Sequence, residues 1–293
     1  MELEHSYLPT NGIRLHVVQA GPKSGTPVVL LHGFPEFWYG WRKQIPALVN
    51  AGCRVIIPDQ RGYNLSDKPK DKKDYSVFTL VDDALGLIKV LDYDKVNLVG
   101  HDWGGGVAWM LAMTYPEKLH KLAVLNSPHP AVYRRFARRD PDQIRRSWYW
   151  LFFQLPWLAE KILSANAFRE MARGLRSSSV KNTFTDADLE KYKEAWSQPN
   201  ALTSMLNWYR AAFQFPPKMP ADMQVKVRTL MMWGMKDFAL SHRLARPSMD
   251  YCDDRNLILF PESTHWAHLD AADEVNHYLI DFLFDSITKR AIK

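Results

Sequence analysis

Cysteines and long hydrophobic segments are scarce in this sequence. Its 293 residues include two cysteines, Cys53 and Cys252, which are too few for a disulfide framework and lack the spacing of metal ligands. The first residues, Met1–His5, are acidic and include no apolar run, so they do not predict a secretory signal. A reducing compartment suits this composition, and we expect a cytoplasmic protein without a bound metal.

The most apolar segment, Trp148–Ala159, is also too short to be a membrane span. It has about a dozen residues and includes Gln154 and Pro156, whereas a helix that crosses a bilayer needs about 20 apolar residues. We therefore expect no transmembrane segment, and we expect Trp148–Ala159 to be buried or to line a pocket.

Positive charge is in excess, with a formal net charge of +6. The excess is concentrated in one stretch of arginines, namely Arg134, Arg135, Arg138, Arg139, Arg145 and Arg146. Such a cluster can attract phosphate groups or an anionic membrane surface, but a solvated helix face is the commoner explanation and the one favoured here. No signature of a nucleic-acid-binding module accompanies the arginines, so nucleic acid is not an expected partner.

Segments typical of buried strands alternate with segments typical of helices. An Asn11-Gly12 turn joins two alternating segments, His5–Pro9 and Ile13–Gln19, and predicts an antiparallel hairpin. Continuous apolar segments such as Pro27–His32 are typical of strands buried on both faces of a parallel sheet. Helices are predicted at Gly40–Asn50, Leu80–Leu91, Val107–Tyr115 and Ser241–Tyr251, and strands at Cys53–Pro58, Val96–Val99, Leu119–Asn126, Val227–Trp233 and Asn256–Phe260. This alternation predicts an α/β fold in which helices flank a mostly parallel central sheet.

The alternation stops between residues 131 and 221. This segment is rich in arginine and aromatic residues and is broken by prolines at positions 141, 156, 199, 216 and 217. We interpret it as a helical cap, or lid, inserted into a core formed by residues 1–130 and 222–293. The last helix of that core is expected to run from Ala272 to about Ile287.

The segment Val96–Gly106 has the features of a nucleophile elbow, a sharp turn between a strand and a helix. Gly100-His101-Asp102-Trp103-Gly104 matches the pattern G-x-S-x-G, with a carboxylate where the serine would stand. Glycine is needed at Gly100 and Gly104 because the strand and helix backbones approach closely there. Asp102 is therefore predicted to project into a cleft as a nucleophile.

A nucleophile of this kind needs a base, an acid that orients the base, and donors for an oxyanion. In the chain order typical of the elbow the acid comes next and the histidine last. This order favours Asp237, directly after a strand, and His265, in the loop after the last strand. Asn126 follows an earlier strand but has no carboxylate, and His268 is a weaker candidate because it lies one helical turn further along. His101 is interpreted as structural.

The loop after the third strand completes the predicted constellation. Phe34 lies in His32-Gly33-Phe34-Pro35, and its backbone N–H and that of Trp103 are the expected oxyanion donors. The side chains of Phe34, Trp38 and Trp103 are also expected to form an apolar wall of the substrate pocket.

The carboxylate nucleophile itself restricts the chemistry. A serine that attacked a saturated carbon would form an ether that water cannot cleave, whereas a carboxylate forms an ester. Asp102 therefore predicts displacement at a saturated carbon, followed by ester hydrolysis in which His265 activates the water. Epoxides and alkyl halides are the substrate classes that fit, and neither requires a cofactor.

The ordered set of motifs resembles that of the epoxide hydrolases of the α/β-hydrolase superfamily, in particular the soluble type. The matching segments are His32-Gly33-Phe34-Pro35-Glu36, Asp59-Gln60-Arg61-Gly62-Tyr63, Gly100-His101-Asp102-Trp103-Gly104-Gly105, Phe152-Phe153-Gln154-Leu155-Pro156, Asn207-Trp208-Tyr209-Arg210, Lys236-Asp237-Phe238 and His265-Trp266. The resemblance implies two cap tyrosines, Tyr149 and Tyr209, that bind the epoxide oxygen and supply a proton as the ring opens. It also implies a small lipophilic epoxide and water as substrates and a vicinal diol as product.

Two other functions stay open at this point. A haloalkane dehalogenase would use the same nucleophile, acid and base, and Trp103 would suit a halide site. Against it, Phe34 offers no side-chain N–H and the paired tyrosines would have no purpose. A hydrolase-fold receptor with little catalysis is the second alternative, although the complete catalytic set argues against it. A monomer or a homodimer is expected, and detoxification of reactive epoxides is one role that the activity would serve.

Overall fold

The computed structural model describes residues 1–285, which form one eight-stranded sheet with helices on both faces. The strands are β1 (Glu4–Thr10), β2 (Ile13–Ala20), β3 (Thr26–Leu31), β4 (Cys53–Pro58), β5 (Val96–His101), β6 (Leu119–Leu125), β7 (Thr229–Gly234) and β8 (Arg255–Phe260). Their order across the sheet is β1-β2-β4-β3-β5-β6-β7-β8.

The first strands are antiparallel and the rest of the sheet is parallel. β1 and β2 form the predicted hairpin, in which Asn11 and Gly12 have positive φ values of 44° and 77°, as a tight two-residue hairpin turn requires. β2 also pairs antiparallel with β4, whereas every pairing from β4 across to β8 is parallel. The predicted α/β fold with a mostly parallel sheet is confirmed.

The helices alternate with strands as predicted, but their first and last residues differ from the predicted bounds. They are α1 (Gln44–Asn50), α2 (Val77–Val90), α3 (Trp103–Thr114), α4 (Pro130–Arg139), α5 (Pro141–Arg146), α6 (Trp148–Phe152), α7 (Leu158–Ser177), α8 (Asp186–Trp196), α9 (Ala201–Gln214), α10 (Ala245–Met249), α11 (Ala267–Asp270) and α12 (Ala272–Leu283). α2 begins at Val77 instead of Leu80, because the Ser76 hydroxyl accepts a hydrogen bond from the Thr79 N–H and caps the helix.

The last predicted helix is shorter than expected within the described chain. α12 ends at Leu283, and Phe284 and Asp285, which the sequence predicts as helical, form a turn. The rest of the predicted continuation to Ile287, like the predicted core from residue 286 to 293, lies outside the described residues.

Helices α4 to α9 interrupt the sheet between β6 and β7. They occupy the segment for which the sequence predicts a helical cap. α7 is bent at Ala165–Phe168, where the backbone is not helical. Among residues 1–285, no helix combines the length and the apolar character that crossing a membrane would need.

Apolar side chains pack on both faces of the sheet. On β3, Val29 and Leu31 join the cluster that includes side chains of α2, α3 and the inserted helices, whereas Val28 and Leu30 join the cluster that includes α1 and α12. Parallel strands end at the same edge of a sheet, so the loops after β3, β5, β7 and β8 meet there. The Trp196 indole of α8 donates to the Pro35 carbonyl oxygen at 2.6 Å and joins the inserted helices to this edge.

Candidate active site

Asp102 stands in a sharp turn between β5 and α3. Its backbone has φ 50° and ψ −118°, a strained combination for a residue with a side chain. A Cβ atom at Gly100 would lie 2.4 Å from the Gly104 carbonyl oxygen, and one at Gly104 would lie 2.2 Å from the Leu31 carbonyl oxygen. Glycine is therefore required at both positions, and α3 begins at Trp103 instead of the predicted Val107.

The two oxygens of the Asp102 carboxylate face different groups. Oδ1 accepts a hydrogen bond from the Phe34 N–H at 2.9 Å, and Oδ2 lies 3.6 Å from His265 Nε2. Burial alone would raise the pKa of Asp102, but His265, His101 and the Phe34 N–H outweigh burial and hold the pKa below its ordinary value of 3.8. The carboxylate is therefore ionised at neutral pH.

His265 is held between Asp102 and Asp237. Its Nδ1 atom lies 2.7 Å from Asp237 Oδ2, and the other Asp237 oxygen accepts from the N–H groups of Ala239 and Leu240 at 2.8 and 2.9 Å. Burial alone would lower the pKa of His265, but the two carboxylates outweigh burial and raise the pKa to about 10. The structure thus brings together the three side chains that the sequence predicts as nucleophile, acid and base.

The two predicted oxyanion donors flank the nucleophile. Phe34 already donates its N–H to Asp102, and Trp103 is the first residue of α3, directly after Asp102. The structure therefore places one predicted donor in contact with the Asp102 carboxylate and the other next to Asp102 in the chain.

Tyr149 of α6 and Tyr209 of α9 face each other above the nucleophile. Their ring centroids are 5.9 Å apart, and the Tyr209 ring lies 5.1 Å from that of Trp103 and 5.3 Å from that of Phe34. Burial and the nearby negative charge of Asp102 raise the pKa of both phenols well above 10. Both side chains are therefore neutral hydrogen-bond donors.

Trp38, which the sequence predicts as a pocket residue, lies apart from this aromatic group. Its ring packs edge-on against His5 at 5.5 Å and against Tyr39 at 5.6 Å, and its backbone N–H donates to the Asp59 carboxylate. We therefore leave Trp38 out of the site that we propose below.

A sequence model of the alpha/beta hydrolase fold matches residues 26–272. The AB hydrolase superfamily protein YfhM of Bacillus subtilis (strain 168) is 46% identical over 278 residues, which cover 94% of this chain and 96% of that protein. Human epoxide hydrolase 4 is 36% identical over 294 residues, which cover 98% of this chain and 80% of the human protein.

Among solved structures, a mutant epoxide hydrolase from Bacillus megaterium, complexed with a naphthyloxy-propane-1,2-diol described as its product, has a TM-score of 0.88. The two proteins are 28% identical, and the alignment covers 95% of this chain and 100% of that one. This chain belongs to the epoxide hydrolases of the α/β-hydrolase superfamily.

In this member of the epoxide hydrolases, Asn126 supports the acid, a role that sequence reasoning missed. Its Nδ2 donates to Asp237 Oδ2 at 2.9 Å, and its Oδ1 accepts from the Gly234 N–H at 3.1 Å. From the sequence, Asn126 is set aside as the acid because it has no carboxylate. Its place after β6, beside the strand that precedes Asp237, is the signal that could have identified it.

A second group of ionisable side chains, which sequence reasoning also missed, lies next to His265. Glu36 Oε2 is 2.8 Å from His101 Nδ1, and Glu36 Oε1 is 3.2 Å from His268 Nε2. His101 Nε2 in turn donates to the His265 carbonyl oxygen at 2.9 Å, which agrees with the structural interpretation of His101. The available signal was Glu36 itself, because it follows the loop of the predicted oxyanion donor and a carboxylate buried there needs partners.

These three side chains place their ligating atoms within 4.8 Å of one another, a spacing that a metal ion could use. Both histidines already bond the one carboxylate, however, and Tyr192 Oη lies 3.3 Å from Glu36 Oε1. We interpret the group as a hydrogen-bonded cluster.

Hydrogen bonds also fix the tyrosine-bearing segments of the inserted helices. Arg210, next to Tyr209, donates to the Phe153 carbonyl oxygen at 2.9 Å and pairs with Glu160 at 2.7 Å. Arg146 of α5 donates to the Asp237 carbonyl oxygen at 2.6 Å. The phenols and the acid are therefore tied to one another through the backbone.

The expectation that Trp148–Ala159 is buried or lines a pocket is wrong for part of the segment. The side chains of Trp148, Leu151 and Trp157 are 64, 66 and 69% exposed. The segment contains helix α6, and only one face of a helix can turn towards the nucleophile. Tyr149 is on that face, whereas Trp148 and Leu151 are on the opposite one.

Proposed function

We propose that this protein hydrolyses small lipophilic epoxides to vicinal diols through an ester formed on Asp102. The observation that carries the proposal is the Asp102 carboxylate, which bonds the Phe34 N–H and lies 3.6 Å from His265, with the phenols of Tyr149 and Tyr209 nearby. The B. megaterium relative, described with a vicinal diol as its product, supports the same reaction for this chain.

In the first step, Asp102 attacks one carbon of the epoxide ring and the carbon–oxygen bond breaks. Tyr149 and Tyr209 donate hydrogen bonds to the oxygen as negative charge develops on it, and one phenol transfers its proton to form a hydroxyl. The product of this step is a hydroxyalkyl ester of Asp102. The apolar surroundings supplied by Phe34 and Trp103 favour a lipophilic substrate.

Ester formation changes the protonation of His265. The imidazole is a cation in the free enzyme because it lies between two carboxylates, and the ester removes the negative charge of Asp102. The pKa of His265 therefore falls, and its proton replaces the one that the tyrosine lost. The imidazole becomes a neutral base when a base is needed.

In the second step, neutral His265 takes a proton from water, and the hydroxide attacks the ester carbonyl carbon. The Phe34 and Trp103 N–H groups stabilise the oxyanion, while Asp237 stabilises the imidazolium. When the intermediate collapses, the new carboxyl proton leaves with the alkoxide, so the diol departs and both Asp102 and His265 return to their ionised forms.

The experiment that tests this sequence uses His265→Gln. Glutamine cannot act as a base, so this variant forms the ester but does not hydrolyse it. After mixing with an aryl epoxide, intact-protein mass spectrometry is expected to find one added substrate mass, and peptide mapping is expected to assign it to Asp102. Absence of an adduct would contradict the two-step mechanism.

Asp102→Ala is the matched control, because it removes the nucleophile and leaves His265 and both tyrosines. It is expected to form no adduct and no diol. Parallel assays on an aryl epoxide and a 1-haloalkane distinguish epoxide hydrolysis from dehalogenation. Halide release without diol formation would identify a dehalogenase instead.

We also propose that the chain is divided into a cap and a core. Residues 131–221 act as a cap that supplies both phenols, and residues 1–130 and 222–293 form the core that supplies nucleophile, acid and base. A cytoplasmic location and a monomeric or homodimeric state stay predictions.

A further inference from the structure

Helices α5 and α6 expose a stripe of large apolar side chains. Ile144, Trp148, Leu151 and Leu155 are 47, 64, 66 and 44% exposed, and only Ser147 separates the two helices. Trp148 and Leu151 are three residues apart in α6, a spacing that places them on one side of that helix, whereas Ile144 belongs to α5 and Leu155 lies in the turn after α6. Monomeric proteins seldom leave such a stripe uncovered.

The helix before the stripe, α4, exposes four arginines, namely Arg134, Arg135, Arg138 and Arg139. Within residues 1–285, none of these guanidinium groups has a carboxylate within 4.0 Å. The nearby acids already have partners, since Asp140 pairs with Arg243 and Asp142 pairs with Arg145 and Arg146. The positive charge on α4 is therefore not neutralised within its own helix and its neighbour.

Helix α4, which carries the arginines, packs against helix α6, which carries Trp148 and Leu151 of the stripe. Tyr133 of α4 packs against Trp150 of α6 with ring centroids 5.7 Å apart, and its hydroxyl lies 3.3 Å from the Ser147 hydroxyl. We call the four arginines and the four apolar residues together the cap face.

We propose that the cap face binds the surface of an anionic phospholipid bilayer. Arginines beside tryptophan and leucine are the composition that lies at a membrane interface, where cations meet lipid phosphates and apolar side chains enter the acyl boundary. A second copy of the chain would instead bring two unpaired arginine clusters together, which like-charge repulsion disfavours. Charge complementarity thus selects the bilayer as the occupant.

The position of the cap face suits a lipophilic substrate. Trp148 and Leu151 project outwards from the same helix whose other face carries Tyr149. A substrate dissolved in the bilayer would therefore be one helix thickness from the nucleophile. This inference concerns where the enzyme works, and its test does not depend on turnover.

The test is co-sedimentation of the purified protein with vesicles. Binding is expected to mixed phosphatidylglycerol and phosphatidylcholine vesicles, to be weak with phosphatidylcholine alone, and to fall as salt is raised. Replacing the four α4 arginines by glutamine is expected to lower the partition coefficient at least about tenfold.

A matched control removes the same charge from the core surface by replacing four exposed lysines with glutamine, namely Lys70, Lys72, Lys89 and Lys95. This control is expected to bind the vesicles nearly as the parent does, and both glutamine variants are expected to turn over a water-soluble epoxide normally. Equal loss of binding in the two variants would indicate a net-charge effect and would overturn the proposal.

The apolar stripe is tested by the double variant Trp148→Ser with Leu151→Ser. It is expected to weaken binding to the anionic vesicles while its circular dichroism spectrum is unchanged. Unaltered vesicle binding, or a dimer in sedimentation velocity that these substitutions dissociate, would overturn the proposal, and the second result would assign the cap face to a second copy of the chain.

Discussion

Two buried groups of histidines and carboxylates lie side by side in this protein, and they differ in composition. In the reacting group one imidazole, His265, stands between two carboxylates, Asp102 and Asp237. In the supporting group two imidazoles, those of His101 and His268, share the single carboxylate of Glu36. The groups touch where His101 donates to the His265 carbonyl oxygen.

This difference in composition gives His265 and His268 opposite shifts in pKa. Burial would lower the pKa of any imidazole, but two carboxylates overcome burial at His265 and raise its pKa to about 10. At His268, burial outweighs Glu36 and lowers the pKa to about 4. The ratio of carboxylates to imidazoles, more than the depth of burial, therefore decides which histidine can alternate between charged and neutral forms during a reaction.

Each group also has a tyrosine from the inserted helices. Tyr209 lies over the reacting group, whereas Tyr192 donates to Glu36 in the supporting group. The inserted helices thus contribute phenols to both groups, and we propose substrate contact only for those near Asp102. The three predictions below change the composition of one group at a time.

The largest effect is expected from Asp237→Asn, which leaves His265 with a single carboxylate. The imidazole loses the partner that fixes its orientation and stabilises its cation, and kcat is expected to fall by about 10³–10⁴-fold. Stopped-flow measurement should locate the loss in ester hydrolysis, because Asp102 is already ionised for the first step. A variant that slowed only ester formation would contradict this assignment.

Tyr209→Phe should have a smaller effect, and Tyr192→Phe provides a matched control from the other group. Loss of one donor to a developing oxyanion is expected to slow ester formation by about 10²–10³-fold. Tyr192→Phe removes only a 3.3 Å hydrogen bond to Glu36 and should leave the rate of ester formation nearly unchanged. Single-turnover kinetics on one epoxide measure both rates. Equal losses in the two variants would mean that Tyr209 acts only by packing.

Much of the reacting group could be predicted from the sequence, because local features fix where its residues lie. The glycines around Asp102 allow one backbone geometry, and residues directly after parallel strands meet at one edge of the sheet. Asp237 and His265 follow from chain order for this reason. Tyr149 and Tyr209 were identified by resemblance alone, since nothing in the local sequence separates them from the other aromatic residues of the insertion.

The supporting contacts could not be predicted in the same way. The bond between Asn126 and Asp237 joins residues that follow two neighbouring strands and are far apart in the chain, so it depends on the order of β6 and β7 in the sheet. The exposed side of α6 was missed for a different reason. When a short helix has apolar residues on every side, its sequence does not indicate which side faces the core.

The smallest effect is on stability, where the two groups should act at opposite ends of the pH range. The pKa of His265 is about 10 in the folded protein against an ordinary value of 6.5. The stability that His265 contributes is therefore fully present below pH 6.5 and is lost as the pH rises towards 10. The pKa of His268 is about 4 in the folded protein. The stability associated with its neutral form is therefore fully present above pH 6.5 and is lost as the pH falls towards 4. Urea unfolding measured against pH should show both slopes. His265→Gln should flatten the alkaline slope alone and His268→Gln the acid slope alone, and a variant that altered both would mean that the two groups titrate as one.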